Sequence, residues 1–266
     1  MKTMENVNPL GVKKVSKLLV QFSVPAIVGM MANALYNIVD RIFIGNKADL
    51  GALGIAGITV SFPIMIILLA FGVLFGIGGS TLFAIKLGQK KEQEAEKAMG
   101  NAFTLLLIAG LSFSVLGQVF LTQILTLFGA SPDVLPYAKE YMRIIFMGST
   151  FQMMSMGMNN FIRADGNPKI AMMSMFLGAG INMVLDPIFI FVFDMGMSGA
   201  ALATIISQLC ASIWVVGYFL GKRSRSKLKR ANLRLKKALV FTIISLGVPP
   251  FALQLANSLL NIILNK

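Results

Sequence analysis

Seven stretches of this chain run for about the ~20 residues that a helix needs to cross a bilayer. Six contain no charge: Leu18–Val39, Leu50–Ile85, Ala98–Pro132, Ile144–Ile162, Met195–Gly221 and Ala238–Asn265. The seventh, Ile170–Phe193, contains one acid, Asp186. In lipid a chain must satisfy its backbone internally, and helices do this within one segment. The pattern predicts an all-α polytopic membrane protein. Composition agrees, with 56% hydrophobic and 13% charged residues, where soluble domains carry about 25% charged.

A formal charge of +13 would suit a nucleic-acid partner if the cations formed one face. They gather instead in alternate loops. Lys2, Lys13, Lys14 and Lys17 precede the first stretch, and Lys86, Lys90, Lys91 and Lys97 follow the second. Arg163 and Lys169 follow the fourth, and a dense run from Lys222 to Lys237 follows the sixth. The opposite loops hold only Arg41, Lys47, Lys139 and Arg143. This positive-inside pattern places the N-terminus in the cytoplasm of a multi-pass protein of the cell membrane. It argues for the lipid bilayer, not nucleic acid, as partner, with the 222–237 run touching anionic lipid. With no histidine and a single cysteine, Cys210, there is no internal disulfide or cysteine metal cluster. No loop carries a catalytic constellation, so the chain is not expected to be an enzyme. Glu92, Glu94 and Glu96, in LGQKKEQEAEKA, read as solvated residues of a short surface helix.

The polar residues within the apolar stretches carry the functional argument. An acid near the bilayer centre costs roughly 2.5–3.5 kcal/mol on insertion scales and normally faces a protein-lined interior. Asn182 lies four residues before Asp186 and shares its helix face. Pro187 cannot donate to the Met183 carbonyl. A carboxylate, an amide and a free carbonyl together suit a small cation or a proton. The plainer alternative is a proline kink beside a satisfied polar residue. In the first stretch, Asn33, Asn37 and Asp40 form a second polar stripe, and Pro25 marks a bend. Asp40 either faces inward with this stripe or sits at the watery outer end of the helix. Arg41 either pairs with it or lies at the membrane edge. Gln152, Ser155 and Asn159 share a face of the fourth stretch, as do Thr204, Ser207 and Gln208 of the sixth. Gly72, Gly76, Gly78 and Gly79 read as packing residues.

The last stretch repeats the first. Val24, Pro25, Ala32, Asn33, Leu35, Asn37 and Ile38 recur as Val248, Pro249, Ala256, Asn257, Leu259, Asn261 and Ile262 without a gap. Parallel repeats of this kind build transporters from two similar lobes. The expected domains are a six-helix lobe over 1–221, a basic cytoplasmic linker over 222–238, and the first helix of a truncated second lobe over 239–266. Asp40 is matched by Leu264, so the acid belongs to the first lobe alone.

VDRIFIGN, RADGNPK and NMVLDPIFIF together resemble the multidrug and toxic compound extrusion (MATE) transporters. That resemblance implies twelve membrane helices in two lobes. It implies export of small organic, often cationic, compounds in exchange for H⁺ or Na⁺, with no other cofactor. By motif it assigns a proton or Na⁺ site to Asp40, Asn182 and Asp186, with Asn159 and Thr204 beside them. It places Asn33, Tyr36 and Asn37 on the substrate cavity and hinges at Pro25 and Pro187. Some members use a carboxylate on the seventh helix, where this chain offers only Gln254 and Asn257. A related lipid-linked oligosaccharide flippase is the alternative, but it would want basic residues deep in a central cavity, and no Lys or Arg lies deep within a stretch. A second alternative is a gene fragment that transports nothing without its other lobe.

Overall fold

A computed structural model describes residues 14–47 and 50–264, with side chains through residue 260. Lys2, Lys13 and the side chains of Asn261, Ile262 and Leu264 therefore lie outside the described residues. All regular structure among the described residues is helical. Helix α1 spans Val15–Asn46, α2 Gly51–Gly88, α3 Glu92–Val119 and α4 Leu121–Leu127. Then come α5 Leu135–Met147, α6 Ser149–Ala164, α7 Pro168–Pro187, α8 Gly196–Leu220 and α9 Lys237–Leu264. A π turn, Ile188–Val192, extends α7, and a short 3₁₀ turn, Arg230–Asn232, precedes α9. Six of these helices, counting α7 with its π turn, are long and apolar enough to cross a membrane.

The fourth expected stretch differs from its reading. Ile144–Ile162 is not one helix but the junction of α5 and α6, which meet at Gly148. A Cβ on Gly148 would sit 2.1 Å from Cδ1 of Ile205 on α8, so α8 presses directly on the backbone there. The Gly148 N–H is shared between the carbonyls of Ile144 and Ile145. Ser149 ties the new helix start to α3 by donating to the Gly110 carbonyl at 2.8 Å. The third stretch likewise stops at Val119, and α4 is a separate short helix.

α2 lies at the centre, packed against α3, α6 and α9. Its glycines permit that. A Cβ on Gly76 would lie 2.5 Å from the Gly157 Cα of α6, and one on Gly78 would lie 2.0 Å from the Ile243 carbonyl oxygen of α9. Close backbone approach of this sort is how helices associate in lipid. α9 is further held by Ser258, which donates to the Pro63 carbonyl at 3.0 Å. Phe251 meets Phe71 edge-on at 5.1 Å between centroids. α1, by contrast, turns Leu19, Val24, Ile27, Met31, Leu35 and Ile38 outward.

At the loops carrying most of the basic residues, the reading of three solvated glutamates needs correction. LGQKKEQEAEKA is not a separate surface helix: a tight turn with Lys90 at φ 60° leads straight into α3. Glu92 is exposed and Glu94 pairs with Lys86 at 2.6 Å. Glu96 is only 8% exposed. It accepts from the Lys227 N–H at 2.9 Å and pairs with Lys229 at 2.6 Å. In RADGNPK, Asp165 is buried and accepts from the Tyr218 hydroxyl at 2.6 Å, the Ser224 hydroxyl at 3.0 Å and the Arg225 N–H at 3.3 Å. Burial pushes this carboxyl above its ordinary range, against the opposing pull of those donors.

Candidate ion-coupling site

α1 packs along α7, and α7 along α8, which also receives α5. This brings residues far apart in the chain to one level of the lobe. Asp186 is 0% exposed, Asn182 1% and Asp40 6%. Asp40 therefore faces inward, and its watery-end alternative fails. Arg41 lies over the Phe62 ring at 5.1 Å, at the exposed side. Asn182 donates through Nδ2 to Asp186 Oδ1 at 3.2 Å and approaches Thr204 Oγ1 at 3.5 Å. The Asp40 carboxylate lies within electrostatic range of Asp186. Three oxygens in this group are buried without any hydrogen-bond partner: Asp40 Oδ1, Asn182 Oδ1 and Asp186 Oδ2.

Such orphaned acceptors are unusual, because burying polar atoms unpaired carries the full desolvation penalty, about 1–3 kcal/mol each. The donor set is all oxygen and includes two carboxylates. That chemistry fits a hard cation, which takes oxygen ligands, or a proton placed between acceptors.

Asn159 does not join this hydrogen-bonded group. It donates to the Ala171 carbonyl at 2.8 Å and to Ser174 Oγ at 2.5 Å. Ser174 precedes Asn182 by eight residues, about 12 Å along the helix at 1.5 Å per residue. Ser155 donates to Gln208 Oε1 at 2.5 Å, joining α6 to α8. Asn33, Tyr36 and Asn37 are half-buried on α1, where Asn37 donates to the Asn33 carbonyl at 2.7 Å. Pro25 lies inside a helix that continues through it.

Two residues of this region escaped the sequence reading. Tyr141 of α5, 2% exposed, is in reach of Thr204 and within electrostatic range of both acids. Lys47 lies just after α1 and reaches the π turn, donating to the Ile190 carbonyl at 2.9 Å and to Asp194 at 2.5 Å. Pro187 removes a backbone donor, and a wider turn follows it: the Phe193 N–H reaches back five residues to the Ile188 carbonyl at 2.9 Å. Lys47 straps the end of α1 across that widened turn.

Known proteins share this fold. The MatE family model matches residues 25–188, which include Asp40, Asn182 and Asp186. Multidrug export protein MepA of Staphylococcus haemolyticus is 31% identical over 249 residues, covering 94% of this chain and 55% of the relative. A solved MATE structure in the straight conformation superposes with a TM-score of 0.88 at 26% identity, covering 97% of this chain and 57% of that one. One in the bent conformation gives 0.84 at 27%, covering 92% and 54%. The chain spans about half the length of the curated relatives it matches. A family model over most of the helical lobe, with the two acids inside its bounds, places the chain in the MatE family of MATE multidrug efflux transporters.

Proposed function

We propose that this chain is the first lobe of a cation-coupled antiporter that exports drugs or other organic, often cationic, compounds. The observation that carries the proposal is the set of three unpartnered buried oxygens on Asp40, Asn182 and Asp186. Two ionised carboxylates buried together are costly unless a positive charge joins them. Entry of H⁺ or Na⁺ removes that cost and changes which bonds α1 makes with α7. Pro25 interrupts the hydrogen-bond ladder of α1 and gives it a place to bend, with Pro187 and the π turn as a second soft point. A ligand shifts such an equilibrium by its differential affinity for the two states. Binding at the acids would favour one shape of α1 and expel substrate from a cavity walled in part by Asn33, Tyr36 and Asn37. The name of the S. haemolyticus relative, a multidrug export protein, supports the substrate class.

The test is ethidium efflux in everted vesicles carrying a two-lobed version of the protein. Efflux is expected under an imposed H⁺ or Na⁺ gradient and should vanish when the gradient is collapsed. Gradient-independent efflux would overturn ion coupling.

The same proposal puts residues 222–237 in the cytoplasm of a protein in the cell membrane. A cysteine at Ala231, an exposed position, in a background lacking Cys210, should resist an impermeant maleimide in intact cells and react after permeabilisation. Ser226 would be a poor probe because it is buried. Rapid labelling of Ala231→Cys from outside would reverse the topology.

A further inference from the structure

The 222–237 segment is seated on the lobe, not strung loosely between helices. Its backbone is held at several points. Lys227 donates its N–H to Glu96, and Lys236 donates its N–H to Asn101 Oδ1 at 2.7 Å. Asn101 Nδ2 reaches the Asn232 and Arg234 carbonyls, both at 3.3 Å. Thr104 donates to the Leu233 carbonyl at 2.8 Å. Gly100 allows the contact, since a Cβ there would lie 2.4 Å from the Asn232 oxygen. Ser224 and Ser226 are buried beneath.

What the seat leaves outward is one sign of charge. Lys222, Arg223, Arg230, Arg234, Lys236 and Lys237 are exposed, and none is in an ion pair among the described residues. Leu235, 40% exposed, stands among them. Leu220 ends α8 on one side of the segment and Phe241 opens α9 on the other, 65% and 76% exposed. Two apolar side chains turned outward from membrane-length helices put the cations between them at headgroup depth. A cationic rim around an apolar tip is the chemistry of an interfacial anchor.

We propose that residues 222–237 form a preorganised binding surface for the phosphates of anionic phospholipids. Flexible cations must be ordered on binding, whereas these are carried on a backbone fixed by Asn101, Thr104, Glu96 and Asp165. The inference rests on the membrane placement of the lobe and not on the ion-coupling site, so either can fail alone.

The test uses the 266-residue chain purified in mild detergent and titrated with phosphatidylglycerol or phosphatidylcholine, with retained lipid read by native mass spectrometry. The parent should retain phosphatidylglycerol preferentially. The triple variant Arg234→Gln, Lys236→Gln, Lys237→Gln changes only exposed side chains. It should bind phosphatidylglycerol at least about tenfold more weakly, from the usual contribution of each basic residue near an anionic surface. Asn101→Ala leaves the charge unchanged and removes part of the seat, so it should fall between parent and triple variant, with helicity by circular dichroism as the folding check. Equal retention of the two lipids by the parent, or a triple variant that binds like it, would overturn the surface. Asn101→Ala at the parent level would overturn its preorganisation. Displacement of phosphatidylglycerol by equimolar short RNA would reassign the patch to nucleic acid and refute the lipid assignment.

Discussion

Asp186→Asn in a two-lobed version of this protein is expected to reduce gradient-driven ethidium efflux to background while leaving the protein folded and inserted. Asp186 is fully buried, and one of its oxygens accepts from Asn182 while the other has no partner. Asparagine keeps the shape and retains a carbonyl oxygen to accept from Asn182. It removes the charge that a proton or Na⁺ would meet. Because an uncompensated buried charge is destabilising, the variant should be as stable as the parent or more so. Asp186→Ala is the contrasting case. It leaves Asn182 Nδ2 with only the long contact to Thr204, so it should lose roughly 1–3 kcal/mol of stability along with transport. Efflux in everted vesicles, with expression and thermal unfolding measured in parallel, separates the two. Transport by the Asn variant at the parental rate would remove Asp186 from the coupling step.

The second large effect is expected at the α2–α9 crossing. Gly78→Ala places a methyl group 2.0 Å from the Ile243 carbonyl oxygen, and Gly247→Ala places one 2.0 Å from the Leu74 carbonyl oxygen. Backbone atoms cannot rotate aside, so the helices must separate along their length. Overpacking of this sort typically costs about 1–3 kcal/mol, and a backbone neighbour puts these two at the upper end. Gly180 is the control. Nothing lies within 4 Å of its Cβ position, and Gly180→Ala should be neutral or gain up to about 1 kcal/mol from helix propensity. Thermal unfolding of the three purified variants should rank them clearly. A Gly78→Ala protein as stable as Gly180→Ala would show that α9 does not sit on α2 as described.

What could be read from the sequence follows the range of the interactions. Asn182 and Asp186 are four residues apart on one helix, so their shared face was visible from spacing alone. The lipid environment makes any intramembrane acid conspicuous, which is why Asp40 stood out, although only packing against α7 decided that it faces inward. Tyr141 gave no such signal. A tyrosine just ahead of an apolar stretch is ordinary at a membrane boundary, and only the fold brings it to Thr204. The break at Gly148 lies where Ile205 of another helix packs onto its backbone, a contact that sequence spacing does not show. Glu96 looked solvated because its partners, Lys227 and Lys229, come 131 and 133 residues later. Pro187 announced a missing backbone bond, but not that a π turn held by Lys47 would follow it.

The seat of the 222–237 segment also has an order in time. Glu96, Asn101, Thr104 and Asp165 all precede the segment they hold. At about 5–20 residues per second, residue 222 leaves the ribosome roughly three to eleven seconds after Asp165. Its anchors are therefore synthesised and available for insertion before it emerges, and each successive bond can form without waiting for later sequence. The segment then delivers Lys237, and with it the start of α9, to a fixed point beside α2. α9 therefore meets α2 from a start already set in place, and its packing along α2 needs no search for register.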